Sequence, residues 1–341
     1  MIYTDHHEYQ HKLERRRPPM LPNYFHVGQP KAGSTTLHFM LVDHPDVCLV
    51  KSKEAHFFDI DEAYDKGLDF YRKAHFAHCV GQKVVGDITP AYFNAVALER
   101  IAKDFGDTAK ITVCFRFPVA RTYSHYYHSV RLLEERQSLF TRLQPNTGYL
   151  RASCGGNIFE KILELFPREN VMPMIFERDL VSSGSIQAYD KVCNFLGIEP
   201  AKVPENEKKG VGFRPNVAIA NHNGSVEDYR GAHEFKKGDV IIETLQWTTH
   251  YHAEVISNPD SETRERYTTI FDEVTTELTN DQVREIYASN FAEDVEKLKE
   301  LLGDDIPEWS LDDRTIKAPP QLESRIGRKP SILHKLRERF G

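Results

Sequence analysis

Apolar positions along the chain follow two rhythms that take turns. Short β-type runs occur at Tyr24–Val27, at Lys83–Gly86 and in "NVMPMIFERDL". The clearest strand is "AKITVCFRFP", where Ile111, Val113 and Phe115 alternate with Thr112 and Cys114. Between them lie stretches with helical spacing. "STTLHFMLVDHP" gathers Leu37, Met40 and Leu41 on one stripe and stops at Pro45. "AVALERIAKDFG" ends at Gly106, and Pro118 stands where a first-turn proline opens the helix "VARTYSHYYHSVRLLEER". "NIFEKILELFP" and "IQAYDKVCNFLGI" are further helices, the second closed by Gly197. Strands that alternate with helices predict a mainly parallel sheet covered on both faces.

The rhythm fades from about 205 to 280, where "NHNGSVEDYRGAHEFKKGD" and "ISNPDSE" read as loops. It returns in "DQVREIYASNFAEDVEKLKELLG", a helix or a bent helix pair. The expected organisation is a polar arm over 1–22, one α/β domain over 23–310 and a basic tail over 311–341. Within that domain, 211–280 is an unplaced region with the character of a lid or recognition segment. No internal repeat is visible.

Composition narrows the classes without choosing one. The 341 residues are 40% hydrophobic and 28% charged, ample for a large core. A net charge of −7 speaks against a general nucleic-acid binder. No run approaches the roughly 18 apolar residues of a membrane span, and the N-terminus lacks an apolar signal segment. A soluble, cytoplasmic protein is the simplest expectation. The five cysteines (Cys48, Cys79, Cys114, Cys154, Cys193) contain no C-x-x-C pair. Buried reduced thiols are expected of them, and no metal.

The candidate chemistry begins at "FHVGQPKAGSTTLHFML", Phe25–Leu41. Gly28 and Gly33 have the spacing of a triphosphate-binding loop, yet Ser34 follows the second glycine and the lysine, Lys31, lies inside the loop. Strand, glycine loop and helix still make an anion site. A helix N-terminus offers free N–H groups and about half a positive charge. Ser34, Thr35 and Thr36 add hydroxyl donors.

"GQPKAGSTTL" resembles the 5′-phosphosulfate loop of sulfotransferases that use 3′-phosphoadenosine 5′-phosphosulfate (PAPS), whose loop cation touches the bridging oxygen of the leaving group. "RFPVARTYS" is similar to the family's 3′-phosphate element, with Arg116 at the strand end and Ser124 on the following helix. "KSKEAHFFD", Lys51–Asp59, is similar to the K-E-x-H-F-F-D segment of heparan sulfate 3-O-sulfotransferases. "GDITPAYF", "IFERDL" and "FLGI" follow in family-like order, and "KKG" at Lys208–Gly210 resembles a late 3′-phosphate contact. The resemblance implies a P-loop-like three-layer α/β fold and transfer of a sulfuryl group from PAPS to a hydroxyl of a sugar or small molecule, without a metal. It implies Lys31, Ala32, Gly33, Ser34, Thr35, Thr36, Arg116, Ser124, Lys209 and Gly210 as donor-binding residues. Lys31, Glu54 and His56 become the catalytic set, with Glu54 as general base and His56 as orienter or proton relay.

Two departures stand out. Asp87-Ile88-Thr89-Pro90 lacks the lysine of the family's E-K-T-P segment, and the glycan enzymes' cysteine-linked C-terminal loop has no counterpart. The histidines of "HHEYQH" and "HYH" have no ligand-spaced company and read as surface polar residues. The rival readings are a nucleotide kinase or other NTPase with a variant loop, and an inactive relative that only binds.

Overall fold

The computed structural model describes residues 20–131, 139–143, 147–182, 184–201, 220–221, 240–245, 251–256 and 277–316. In chain order the strands and longer helices are β1 (Tyr24–His26), α1 (Ser34–Leu41), β2 (Val47–Leu49), α2 (Gly67–Phe76), β3 (Val84–Ile88), α3 (Ala95–Phe105), β4 (Lys110–Phe115), α4 (Pro118–Arg131), α5 (Gly156–Leu165), β5 (Val171–Ile175), α6 (Gly184–Leu196), β6 (Ala220–Asn221), β7 (Val240–Leu245), β8 (Tyr251–Ile256), α7 (Asn280–Asn290) and α8 (Ala292–Leu302). A π-helical segment, Phe176–Ser182, joins β5 to α6.

The described residues fall into two compact units. The first takes those of Met1–Arg116, Gly155–Gly212 and Asp294–Glu308; the second takes those of Phe117–Cys154, Phe213–Glu293 and Trp309–Gly341. The first unit holds a five-stranded sheet in the order β2-β3-β1-β4-β5, every pair parallel. With its flanking helices it is a three-layer α/β fold. The inner strands β1 and β3 are buried at every residue, as a sheet covered on both faces demands.

Alternation along β1 sends its two aromatic rings to opposite faces. Tyr24 joins a core made with Leu37 and Leu41 of α1, Ala188, Val192 and Leu196 of α6, and Ile88 of β3. Phe25 packs on the other face against Phe105 at 5.0 Å and Phe58 at 5.9 Å. Asn94 caps α3 by accepting from the Ala97 amide, a contact typically worth about 1 kcal/mol. The start of α5 is tied to α8, since Asp294 accepts from the Gly155 and Gly156 amides.

The second unit carries α4, α7 and a three-stranded antiparallel sheet, β6-β7-β8. Phe117 stacks on Tyr287 at 6.0 Å, with the Arg314 guanidinium 4.1 Å over its ring. Arg121 is fully buried and donates to the Ser153 hydroxyl, the Tyr149 carbonyl and His125 Nδ1.

Three expectations change. The strand read at Lys83–Gly86 runs over Val84–Ile88. The short strand β2, hidden between Pro45 and Lys51, pairs with β3. The region where the rhythm fades contains β7 and β8, which lie between the two loop-like stretches and reach the second at Ile256; their register runs from Val240↔Ile256 to Leu245↔Tyr251.

Candidate active site

All five strands of the first unit run the same way, so their carboxyl ends share one edge of the sheet. The order reverses beside β1: the chain passes from β1 outward to β2, returns through β3, and crosses to β4. Such a switch point leaves a crevice at the strand ends where ligands bind. Among the described residues, the candidates of the first unit lie at or just after strand ends. The glycine loop follows β1, the Lys51–Asp59 segment follows β2, Asp87 and Thr89 close β3, and Arg116 follows β4.

The loop is built on β4. The Gln29 amide donates to the Cys114 carbonyl at 2.9 Å, the Cys114 amide donates to the Gly28 carbonyl at 2.7 Å, and the Arg116 amide donates to Gln29 Oε1 at 3.2 Å. Gly28 (φ 128°) and Gly33 (φ 94°) hold left-handed backbone. A Cβ on Gly28 would lie 2.7 Å from Phe93 Cβ, and one on Gly33 would crowd Leu180 and Phe176. Glycine is therefore required for space as well as for φ. Gly33 caps α1 and contributes no side-chain acceptor there. The Ala32 side chain lies in the core and its amide bonds to the Gln29 carbonyl. Ser34 is buried, while Thr35 and Thr36 are half-buried. Lys31 sits at φ 71°, and Arg116 Nη1 donates to its carbonyl at 2.8 Å. The Arg116 guanidinium also lies 4.7 Å over the Phe176 ring.

The Lys51–Asp59 segment concentrates charge in a small volume. Lys53, 2% exposed, ion-pairs with Glu54 Oε1, while His56 Nε2 lies 3.4 Å from Glu54 Oε2. His56 Nδ1 donates to Asp59 Oδ2 at 2.9 Å. Burial pushes the Glu54 carboxyl upward, but the hydrogen bond from His56 and the charge of Lys53 outweigh it, so it stays below its ordinary range. Hydrogen bonds to Asp59 and then Glu54 raise His56 to about 10. Burial lowers Lys53, with Glu54 opposing. The result is a carboxyl group favoured in its ionised form, with the Lys53 Nζ on one oxygen and the His56 imidazole facing the other. Two further histidines at this end of the sheet stay neutral: burial and the Lys53 charge bring His26 to about 3 and His38 to about 4.

Lys53, Gln29 and the groups beneath this segment were not singled out from sequence. A lysine beside a glutamate reads as solvated charge until its burial is known. Ile88, which stands where the resembling enzymes carry lysine, is fully buried in β3. Ser124 is half-buried on α4, in the second unit. Lys209 and Gly210 lie outside the described residues, as do 1–19 of the arm, 317–341 of the tail and the "HHEYQH" histidines.

One expectation is corrected here. Cys48 in β2 and Cys79, just past α2, form a disulfide with a Cα separation of 5.7 Å. A sequence separation of 31 residues carries no signal of that proximity. Cys114 and Cys193 are buried free thiols, and Cys154 is free and half-buried. Among the described residues, the group close enough to share an ion is Cys48, His78 and Cys79, and the disulfide joins two of its three members. No helix among the described residues is long and apolar enough to cross a membrane.

Comparison with known proteins gives the family. Residues 21–211, more than half of the chain, match the family model described as Sulfotransferase domain. The chain belongs to that family. Heparan sulfate glucosamine 3-O-sulfotransferase 5 of Mus musculus is 30% identical over 193 residues, 53% of this chain and 54% of that protein. The membrane-associated sulfotransferase kil1 of Dictyostelium discoideum is 33% identical over 125 residues, 35% of this chain and 25% of that protein. The chain thus spans about half the length, or less, of these curated relatives. A crystal structure of a sulfotransferase from Alicyclobacillus acidocaldarius aligns with a TM-score of 0.56 at 22% identity, over 85% of this chain and 99% of that one. At that identity the likeness concerns the fold.

Proposed function

We propose that the protein transfers a sulfuryl group from PAPS to a hydroxyl of a glycan or small-molecule acceptor, with Glu54 as general base. One observation carries this reading: a partly buried carboxylate, held below its ordinary range, stands at the same sheet edge as a glycine-capped helix N-terminus whose loop carries Lys31. The residues fit the donor. The α1 terminus, Ser34, Thr35 and Thr36 would hold the 5′-phosphosulfate, and Arg116 a phosphate oxygen of the 3′ group. The roles that the resemblance gives to Ser124, Lys209 and Gly210 stand as proposals for the same 3′ group.

In the proposed step Glu54 takes the acceptor's hydroxyl proton as the new O–S bond forms. The bond from sulfur to the bridging oxygen breaks, and the electron pair leaves with adenosine 3′,5′-bisphosphate. Lys31 stabilises the charge that develops on that oxygen. Lys53 and His56 hold Glu54 as the carboxylate, and each oxygen keeps a further lone pair for the proton. Sulfuryl transfer shares the loose, in-line character of phosphoryl transfer, so positioning and electrostatics supply most of the acceleration.

The acceptor class follows the curated relatives, one of which is named for heparan sulfate glucosamine. The test is transfer of labelled sulfate from PAPS to pooled sugars, phenols, alcohols and amines, beside calorimetry with PAPS and with ATP–magnesium. Saturable PAPS binding and a labelled hydroxyl product are expected. Uptake of ATP–magnesium with no heat from PAPS or its desulfated product would sink the reading.

A further inference from the structure

The Lys51–Asp59 segment contains two non-glycine residues in left-handed backbone, Lys53 at φ 72° and His56 at φ 51°. Each is disfavoured for a residue that carries a Cβ. Such a conformation persists only where surrounding contacts over-determine it. Beneath the segment lies a carboxylate at the end of β3 that the proposed reaction does not use. Asp87 is fully buried and accepts three hydroxyl hydrogen bonds: Thr89 on Oδ1 at 2.6 Å, Tyr71 on Oδ2 at 2.6 Å and Tyr92 on Oδ2 at 2.8 Å. Two of these hydroxyls accept in turn from the segment's main chain. The Ala55 amide donates to Thr89 Oγ1 at 3.0 Å, and the Phe57 amide donates to the Tyr92 hydroxyl at 3.1 Å.

These are the two amides on either side of His56. We propose that Asp87 is the positioning residue of the active site: through Thr89 and Tyr92 it fixes the backbone that aims His56 and Glu54 at each other. The inference rests on the reading of Glu54 as the base, and it adds the scaffold on which that base depends.

Hydrogen-bond polarity makes the carboxylate necessary. Each hydroxyl has one hydrogen, which points to Asp87, so its oxygen is free to accept from the amide above. Only an acceptor-only group satisfies all three hydroxyls at once. An asparagine of the same shape presents an NH2 to one side. The hydroxyl it meets must then accept from that NH2, and its own hydrogen loses the buried acceptor that the carboxylate provided. Asp87 stays ionised at neutral pH: burial raises it, the three hydroxyls lower it, and it comes to rest at about 6.

The test removes single hydroxyls, because Asp87→Asn by itself risks a folding defect. Thr89→Val and Tyr92→Phe each delete one link between carboxylate and segment. Tyr71→Phe deletes a hydroxyl that reaches the same carboxylate and no amide of the segment. The first readout is the His56 imidazole midpoint from NMR of selectively labelled histidine, which needs neither donor nor acceptor. It is expected near 10 in the wild type, at least one pH unit lower in Thr89→Val and in Tyr92→Phe, and unmoved in Tyr71→Phe. The second readout is turnover beside the dissociation constant of adenosine 3′,5′-bisphosphate. The two linking variants should lose about tenfold or more in kcat with donor-site affinity unchanged. An unmoved His56 midpoint in the linking variants, or an equal shift in Tyr71→Phe, overturns the proposal. A shifted midpoint with full turnover upholds the scaffold and overturns Glu54 as the base.

Discussion

Arg116 donates from Nη1 to the carbonyl oxygen of Lys31 at 2.8 Å. The end of β4 is thereby joined to the one position in the glycine loop where a side-chain cation stands, and the loop's left-handed lysine is held from its backbone. A guanidinium does this while its plane lies over Phe176; an ammonium has no plane to stack.

Arg116→Lys is therefore expected to lose more than a charge contact. Adenosine 3′,5′-bisphosphate should bind about tenfold or more weakly, in line with about 1.5–3 kcal/mol for a hydrogen bond to a charged group. Titration calorimetry measures this directly, and unchanged affinity would remove Arg116 from the donor site.

Lys31→Ala should lower turnover on the order of 100-fold or more, since a preorganised donor at a developing charge is worth about 2.7–4 kcal/mol. Glu54→Gln should cost a factor of about 10²–10⁴ while binding of the bisphosphate persists. Steady-state rates with labelled PAPS separate the two variants from the wild type. A Glu54→Gln protein of full activity would end the case for a glutamate base.

Lys53 and His56 both hold Glu54 below its ordinary range. Removing the buried lysine as Lys53→Met leaves His56 at 3.4 Å facing the carboxylate and leaves the burial that pushes the carboxyl up. The acid limb of kcat/KM should move to higher pH by about one unit, the equivalent of roughly 1.4 kcal/mol. A limb that does not move would show that Lys53 leaves the base unaffected.

His56 gives a stability signal of definite sign. Its folded value is raised from 6.5 to about 10, so the imidazolium's contribution is complete below about 6.5 and is lost as pH rises through about 10. Urea unfolding of the wild type and His56→Gln at several pH values reads this out. The gap between them should be widest below about pH 6.5 and shrink as pH rises towards 10; a gap that widens over that range contradicts the ion-pair geometry.

Much of the fold was legible because buried parallel strands are apolar runs and their helices carry clear stops, as at Gly106 and Gly197. β2 was not: three residues between Pro45 and Lys51 are too few for a period to register. The loop could be read locally, since Gly28 and Gly33 serve their own backbone. Glu54 emerged only through resemblance, because nothing in its neighbours distinguishes a base from a solvated glutamate. Asp87, Thr89 and Tyr92 escaped altogether. The Thr89–Ala55 bond spans 34 positions and the Tyr92–Phe57 bond 35, and spacing along a chain carries no trace of contacts made by folding two strand ends together.

The Cys48–Cys79 bridge encloses Glu54, His56 and Asp59 in a covalent ring. A protease that nicks the chain once anywhere between those cysteines converts the ring into two tails that still share a bond. The severed halves should migrate as one species on a non-reducing gel and part only when a thiol is added. Where the surroundings keep thiols reduced, the same nick would set the base-bearing piece loose from its anchor.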